Sequence, residues 1–301
     1  MRACDPTVEG YVERDGVRLG YQVFGDGSPT VLLLPTWTVV HSRFWKLQVP
    51  YLARHFRVVT YDGPGNGRSS RPLDGSAYHH SEQVASALAV LDATGTGRAV
   101  VVALSMAANW AVELAATEPA RVAGLVAIGP SVPLPAGQAA RSRHFAPNAP
   151  LPDLPPSAVP AGGNDPAEHW AKYNVEYWRK HHEDFLWFFF GQTFSEPHST
   201  KQIEDAVGWG LETTGEVLAV HHQPGSYPDE TTFRRWCEQV STPAMVIHGD
   251  DDHTSPLARG QQLAELISAQ LLVLEGSGHI PLARDPVPVN LALRDFIEQV
   301  A

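Results

Sequence analysis

Residues 99–107 read AVVVALSMA, and this stretch decides the fold. The continuous apolar run Ala99–Leu104 is typical of a strand that is buried on both faces of a parallel sheet. Ser105 follows directly, and a helical stretch from Met106 to Thr117 comes next. A serine at such a junction lies on a sharp turn at the carboxyl edge of the sheet, which is where open α/β sheets bind ligands. The sequence therefore predicts an exposed hydroxyl at a ligand-binding edge.

The chain on both sides of this stretch alternates short apolar strands with helical stretches. Such alternation predicts an α/β fold with a mostly parallel central sheet flanked by helices. Asp15-Gly16 suits the positive φ angles of a tight hairpin turn, and Ser42 is a candidate N-cap for the helix that follows it. The predicted strands are 8–14, 17–23, 30–34, 57–61, 99–104, 124–128, 244–248 and 270–274, and the predicted helices are 43–54, 78–93, 106–117, 257–268 and 288–300.

The alternation stops between the two halves of the predicted sheet. Residues 131–166 hold nine of the 25 prolines, and proline interrupts helices and removes backbone donors, so this segment is predicted to be an irregular crossover. From there to about residue 238 the chain is helical and aromatic. We expect one α/β core built from residues 1–130 and 241–301, with residues 131–240 inserted as a proline-rich crossover and helical cap.

Composition limits the partners and the compartment. The chain has 22 Lys and Arg against 33 Asp and Glu, for a net charge of −11, and such a field repels nucleic acid and anionic membranes. Its two cysteines, Cys4 and Cys237, form no metal-binding or disulfide pattern. No apolar run reaches the roughly 18 residues of a membrane span, and the first ten residues lack a signal-peptide pattern. We expect a cytoplasmic protein without nucleic-acid or membrane partners; its oligomeric state is left open.

An acid and a histidine follow two later strands. The segment IHGDDDHTSP spans residues 247–256, and GSGHIP spans 276–281. Ser, Asp and His therefore occur in that order along the chain, each just past a predicted strand. A serine hydroxyl becomes a good nucleophile when a histidine takes its proton and a carboxylate orients the imidazole. This order is one in which serine hydrolases build their triad.

These motifs, with ALSMA at 103–107 and YDGPGNGRS at 61–69, resemble the α/β-hydrolase superfamily, in particular its cofactor-free esterases and hydrolases with a helical cap. Where the family's elbow has two glycines, this chain has Ala103 and Ala107. The resemblance implies Ser105 as nucleophile, His279 as base and no cofactor. It also implies Asp252 as the acid, three residues after a glycine, although spacing alone leaves its neighbours 250 and 251 open.

The resemblance further implies two backbone donors for the developing oxyanion. One is the N–H of Met106, directly after the nucleophile. The other is the N–H of Trp37, in a loop that reads Leu-Pro-Thr-Trp where relatives carry His-Gly. The aromatic run at 186–190 is interpreted mainly as cap core, with some rings facing an apolar substrate. The candidate substrate-binding residues are Thr36, Trp37, His41, Trp187 and Phe188.

Adjacent histidines occur at positions 79–80, 181–182 and 221–222. Neighbouring side chains on a helix point about 100° apart, so they do not converge as metal ligands would. No metal site is predicted. His248, at a strand end, is interpreted as a structural histidine.

The leading hypothesis is a serine hydrolase that cleaves a carboxylic ester of a partly apolar small molecule through an acyl-enzyme on Ser105. Thioester cleavage, acyl transfer, lactone formation and carbon–carbon hydrolysis use the same groups and stay open. A weakly catalytic ligand-binding protein on the same fold is the alternative from another class. Haloalkane dehalogenase and epoxide hydrolase chemistry is disfavoured, because those relatives carry aspartate at the elbow.

Overall fold

An eight-stranded sheet forms the centre of the computed structural model, which describes residues 4–135 and 170–301. The strands are β1 (Val8–Arg14), β2 (Val17–Phe24), β3 (Thr30–Leu33), β4 (Arg57–Tyr61), β5 (Ala99–Leu104), β6 (Val122–Ile128), β7 (Ala244–Gly249) and β8 (Gln270–Leu274). Their order across the sheet is β1-β2-β4-β3-β5-β6-β7-β8. Strand β2 runs antiparallel to β1 and β4, and every other neighbouring pair is parallel.

Helices cover the sheet and continue into the segment between β6 and β7. The α-helices of the described ranges are α1 (Val49–Leu52), α2 (His80–Ala93), α3 (Ala107–Thr117), α4 (Val175–Lys180), α5 (His182–Thr193), α6 (Thr200–Gly210), α7 (Gly215–His221), α8 (Glu230–Gln239), α9 (Leu257–Leu266), α10 (Pro281–Arg284) and α11 (Pro286–Gln299). Short 3-10 turns occur at Ser42–Trp45, Gly75–Tyr78 and Pro119–Arg121. None of the helices in these ranges is long and apolar enough to cross a bilayer.

Burial explains the order of the strands. Every residue of β5, β6 and β7 is buried, in keeping with their nearly uniform apolar sequences. At the edge of the sheet, β1 alternates between exposed and half-buried residues. Its sequence, which alternates polar and apolar residues, suits an edge strand. The central strands therefore form a rigid platform, and the carboxyl ends of β5, β7 and β8 carry the loops that hold the candidate site.

The expected α/β-hydrolase fold class is confirmed, and the strands lie within two residues of their predicted bounds. The prediction of a helix capped by Ser42 is wrong. His41 caps a 3-10 turn through its Nδ1 atom, which accepts from Arg43 N–H at 3.4 Å, while Ser42 N–H donates to Asp62 Oδ1 at 2.9 Å. Most of the predicted proline-rich crossover, residues 136–169, lies outside the described residues, and the division into core and cap stays a prediction.

Candidate active site

The turn at Ser105 is as sharp as the sequence predicts. Ser105 adopts a φ of 57°, a left-handed conformation that costs a non-glycine residue about 1–3 kcal/mol. Hydrogen bonds to the end of β6 hold it there: Ser105 N–H donates to Ile128 O at 2.8 Å, and Ser105 O accepts from Ser131 N–H at 3.0 Å. Ala103 and Ala107 on either side are fully buried, so the site requires small residues at these positions.

Three side chains from different loops meet at this turn. His279 Nε2 lies 2.8 Å from Ser105 Oγ, and His279 Nδ1 lies 2.7 Å from Asp252 Oδ2. His279 and Asp252 are both buried. The distances suit a chain of hydrogen bonds in which the imidazole can accept the serine proton while the carboxylate holds its tautomer. Such an arrangement can generate an oxygen nucleophile.

The three neighbouring aspartates that spacing left open have different surroundings. Asp250 Oδ1 accepts from the backbone N–H of Gly276 at 2.7 Å, and Asp251 forms a half-exposed pair with His253 at 3.2 Å. Only the third carboxylate of the series, Asp252, reaches the His279 imidazole. Asp250 stabilises the turn through its bond to Gly276, and Asp251 pairs with His253 at the surface.

Asp252 has a donor on each side of its carboxylate. Its Oδ1 atom accepts from the backbone N–H groups of Thr254 and Ser255, each at 2.8 Å. Burial by itself raises the pKa of this carboxyl, but the charge of His279 and hydrogen bonds from His248 and His279 outweigh burial and hold the pKa well below its ordinary value. The acid therefore stays ionised wherever the protein is folded near neutral pH.

Gly129, directly after β6, is a part of the site that the sequence reasoning missed. It has a φ of 49°, and a Cβ placed there would lie 2.8 Å from His279 O and 3.4 Å from His279 Nδ1. The missing side chain therefore makes room for the histidine. A glycine at a strand end was the available signal, but a single sequence contains many such glycines.

The loop after β3 lies against the elbow. Thr36 Oγ1 donates to Leu104 O at 2.8 Å, so the hydroxyl of this candidate substrate-binding residue is engaged with the backbone next to Ser105. Within the ranges that the structure describes, the N–H groups of Trp37 and Met106 have no hydrogen-bond acceptor. Both candidate oxyanion donors are thus free to bind an oxygen atom.

The Trp37 side chain is one of five rings that pack together, here called the aromatic cluster. The ring of Trp37 lies 5.2–6.0 Å from the other four, in stacked and edge-on contacts. The members are Trp37, Tyr173, Trp178, Phe185 and Phe189. The cluster joins the loop after β3 to helices α4 and α5, so it is a contact between the sheet and the helices above it.

An apolar cavity of about 150 Å³ lies between the sheet edge and the helices above it. Leu104, which precedes Ser105, and Ile280, which follows His279, are both in its wall. Helices α5 and α6 supply much of the remaining lining. At the rim, Lys46 and Lys201 both bind the Asp205 carboxylate. The lining residues are Val40, Phe44, Lys46, Leu47, Leu104, Phe190, Phe194, Lys201, Gln202, Asp205, Ala206, Trp209, Ile280 and Ala283.

The remaining candidate substrate-binding residues do not line this cavity. Phe188 is buried with its ring 5.2 Å from that of Trp170, and Trp187 is partly buried against the core. Phe190 and Phe194, one helical turn apart, face the cavity instead. The sequence run LWFFF could not distinguish these faces, because it is apolar all round the helix.

His41 links the loop after β3 to the helical segment between β6 and β7. It is buried, and its Nε2 atom lies 3.3 Å from Glu212 Oε1, an ion-pair distance without hydrogen-bond alignment. Nearby, Thr213 Oγ1 donates to Gly65 O at 2.5 Å. The glycine-rich turn at 61–69 is therefore bonded to the α6–α7 connection.

Cys4 and Cys237 are both free thiols, the first exposed and the second buried. Among residues 4–135 and 170–301, no group of three His, Cys, Asp or Glu side chains is arranged to hold a metal ion.

Known proteins share this fold. The family described as alpha/beta hydrolase fold matches residues 29–286, so the chain belongs to that family. It is 26% identical to a non-heme haloperoxidase of Rhodococcus erythropolis, over 94% of this chain and 97% of that protein. It is 25% identical to a bifunctional esterase/perhydrolase of Acinetobacter calcoaceticus, over 96% and 99%. The crystal structure of a hydrolase from Pseudomonas aeruginosa PA01 has the same fold, with a TM-score of 0.76 and 22% identity over 97% of this chain and 99% of that one.

Proposed function

We propose that the protein is a serine hydrolase that cleaves carboxylic esters through an acyl-enzyme on Ser105. One observation carries the proposal: the unbroken chain of hydrogen bonds from Asp252 through His279 to the Ser105 hydroxyl. A protein that only binds ligands has no need of this alignment, which favours catalysis over the ligand-binding alternative. The relative named as an esterase and perhydrolase supports the same reaction class.

The reaction takes two acyl transfers. Ser105 Oγ attacks the ester carbonyl carbon, and His279 Nε2 takes the hydroxyl proton. The resulting oxyanion is stabilised by the N–H groups of Met106 and Trp37. As the tetrahedral intermediate collapses, the C–O bond breaks and His279 gives its proton to the leaving alcohol. Water then attacks the acyl-enzyme with His279 as base, releasing the carboxylic acid and restoring the serine.

The cavity beside the triad limits the substrate. A dry apolar cavity of roughly 150 Å³ is large enough for a benzene ring, so the proposed substrate carries an apolar group of about six carbons next to its ester. Its wall includes Leu104 and Ile280, the chain neighbours of Ser105 and His279. Each buried methylene contributes about 0.8 kcal/mol to binding.

The test is hydrolysis of p-nitrophenyl esters of increasing acyl length, from acetate through hexanoate to dodecanoate. We expect the highest kcat/KM at hexanoate and no measurable turnover by Ser105→Ala. Ala283→Leu fills part of the cavity, so it should lower the hexanoate-to-acetate ratio of kcat/KM about tenfold, the loss expected for two excluded methylenes. The matched control is Ala292→Leu on α11, away from the cavity. Equal rates for Ser105→Ala and the parent would overturn the mechanism.

A further inference from the structure

We propose that His248 is a positioning residue for the proposed triad, acting through Asp252 to hold the carboxylate in line with His279. The proposal rests on the function proposed above, since it assigns a role within the same site. His248 lies at the end of β7 and is completely buried. It is the only side chain besides His279 that donates to the Asp252 carboxylate within the described ranges.

The position of one proton on His248 follows from its neighbours. Its Nε2 atom lies 2.9 Å from Ser255 O and 3.2 Å from Asp252 Oδ2. A backbone carbonyl can only accept, so Nε2 bears a proton and shares it between the two oxygens. The imidazole therefore donates to the same carboxylate oxygen that receives the hydrogen bond of His279.

With this contact, Asp252 accepts four hydrogen bonds. Oδ1 receives two backbone N–H groups of the acid turn, which we define as residues 248–255, and Oδ2 receives His248 and His279. Rotating the carboxylate about its Cβ–Cγ bond would break bonds on both oxygens at once. The orientation of Oδ2 toward His279 Nδ1 is thereby fixed before any substrate binds.

The opposite edge of the His248 ring is held by packing. Its Nδ1 atom has no hydrogen-bond partner in the part of the chain that the structure describes. It faces helix α9 at Gly260, where an added Cβ would lie 2.2 Å from Nδ1. Glycine at this position leaves the ring just enough space, and the helix backbone prevents it from moving away from Asp252.

Other charged groups lie near the acid turn. Arg259 on α9 donates to Ser255 Oγ at 3.2 Å, and the exposed pair of Asp251 and His253 lies at the surface. Among the described residues, His248 is hydrogen-bonded to the Asp252 carboxylate and reaches His279 only through it. A change at His248 is therefore expected to act on the triad first.

The contact has a predictable electrostatic effect. The positive end of the His248 N–H dipole points at Asp252 Oδ2 and partly neutralises the carboxylate charge. The same carboxylate charge stabilises the protonated form of His279. Removing this donor makes Asp252 a stronger partner for protonated His279. The active, neutral form of His279 then persists only at higher pH. It also frees the carboxylate to rotate, which slows attack by the serine.

The experiment measures the rate at which a fluorophosphonate labels Ser105 between pH 5 and 9, by intact mass. His248→Leu removes the donor, whereas His248→Gln keeps an N–H near the position of Nε2. We expect His248→Leu to label about 10–100 times more slowly, by analogy with the loss caused when a hydrogen-bonded partner of a metal-ligating residue is removed. The acid limb of its profile of labelling rate against pH should move to higher pH by about half a unit, which is a threefold change in the proton equilibrium. His248→Gln should restore most of the labelling rate and most of the position of the acid limb.

A second variant acts from the other side of the ring. Gly260→Ala should displace the imidazole and shift the acid limb in the same direction, while the matched control Gly191→Ala, a helix glycine with open space around it, should label like the parent. Parent-like rate and acid limb in His248→Leu would overturn the proposal. So would a His248→Gln variant as slow as His248→Leu, because the ring would then act by packing alone. A parent that is not labelled at all would refute the proposed function, and this inference with it.

Discussion

The acid turn and the aromatic cluster flank the same serine, yet they are built by opposite means. In the acid turn, hydrogen bonds saturate the Asp252 carboxylate. In the aromatic cluster, the Nε1 atoms of Trp37 and Trp178 are buried without a partner in the described ranges, and ring packing supplies the order. Directional bonds fix the position of the acid, whereas packed rings hold the loop after β3 against the helices above it.

The difference predicts distinct kinds of damage. Changing one polar atom of the Asp252 carboxylate should lower catalysis by orders of magnitude while the fold persists. Changing a ring in the aromatic cluster should lower stability and leave the chemistry of Ser105 largely intact. The predictions below test this separation, in order of decreasing free-energy change.

Asp252→Asn is expected to lower kcat on the order of 10⁴-fold, the loss typical of a triad whose acid becomes an amide. The two backbone donors hold the amide oxygen at the Oδ1 position, so the NH₂ group faces His279 Nδ1. That nitrogen must then accept, which puts the proton on Nε2 and leaves no lone pair for the serine hydroxyl. Steady-state ester hydrolysis measures the loss. Asp250→Asn and Asp251→Asn are the controls, and equal losses at all three would contradict the acid assignment.

Phe185→Ala is expected to destabilise the fold by about 3–5 kcal/mol, because it removes a fully buried ring from the aromatic cluster. Urea unfolding measures the change. Exposed Leu211 on the same helical segment supplies a control, since Leu211→Ala should change stability by under about 0.5 kcal/mol. If the folded fraction of Phe185→Ala reacts with a fluorophosphonate more than tenfold slower than the parent, then the aromatic cluster also controls the reactivity of Ser105.

Acidification is expected to destabilise the fold through His221, at the end of α7. Burial lowers the pKa of this imidazole to about 3, whereas in the unfolded chain it is about 6.5. Between these values the unfolded state binds the extra proton, so stability is present above pH 6.5 and decreases as the pH falls below it.

The expected loss is about 1–2 kcal/mol between pH 6.5 and 5, measured by urea unfolding at each pH. His221→Phe should flatten most of this slope. Burial lowers the pKa of His182 as well, so a smaller slope of the same sign should remain. The depressed pKa of Asp252 contributes only below about pH 4, because its stability is lost as the carboxyl protonates. If the slope of the unfolding free energy against pH is unchanged in His221→Phe, then His221 does not cause the loss of stability in acid.

Glu212→Gln is expected to have the smallest effect. It weakens the contact of Glu212 with His41 and Arg43 at the boundary between the sheet platform and the helical segment. The carboxylate is 41% exposed, so the loss should be under about 1 kcal/mol and should vanish in high salt. A tenfold fall in kcat/KM in a p-nitrophenyl hexanoate assay would mean that His41 depends on this ion pair for a role in catalysis.

The sequence predicted the parts of the molecule that local rules determine. Strand β5 is apolar throughout and Ser105 ends it, so both the sheet and its reactive edge could be found without coordinates. Ranking Asp252 above its two neighbours needed the family resemblance, because spacing within one turn does not say which carboxylate points inward. The structure separates them by burial and by their contacts.

Long-range packing was beyond the sequence. The roles of Gly129 and Gly260 depend on what a side chain would strike in another part of the chain, and His248 could only be interpreted as a structural histidine at a strand end. The helical face of the run 186–190 was likewise undetermined, since its residues are apolar in every direction. Residues 190 and 194 face the cavity because of how α5 lies on α6 and the elbow, which periodicity does not encode.

The most direct test of the central claim is the intact mass of the protein after treatment with a fluorophosphonate, with Ser105→Ala treated in parallel. We expect one adduct on the parent and none on the variant, because only a serine aligned with a working base reacts readily. Peptide mapping should place the adduct on Ser105. A folded parent without an adduct, or an equal adduct on Ser105→Ala, would contradict the claim that Ser105, His279 and Asp252 form a functional triad.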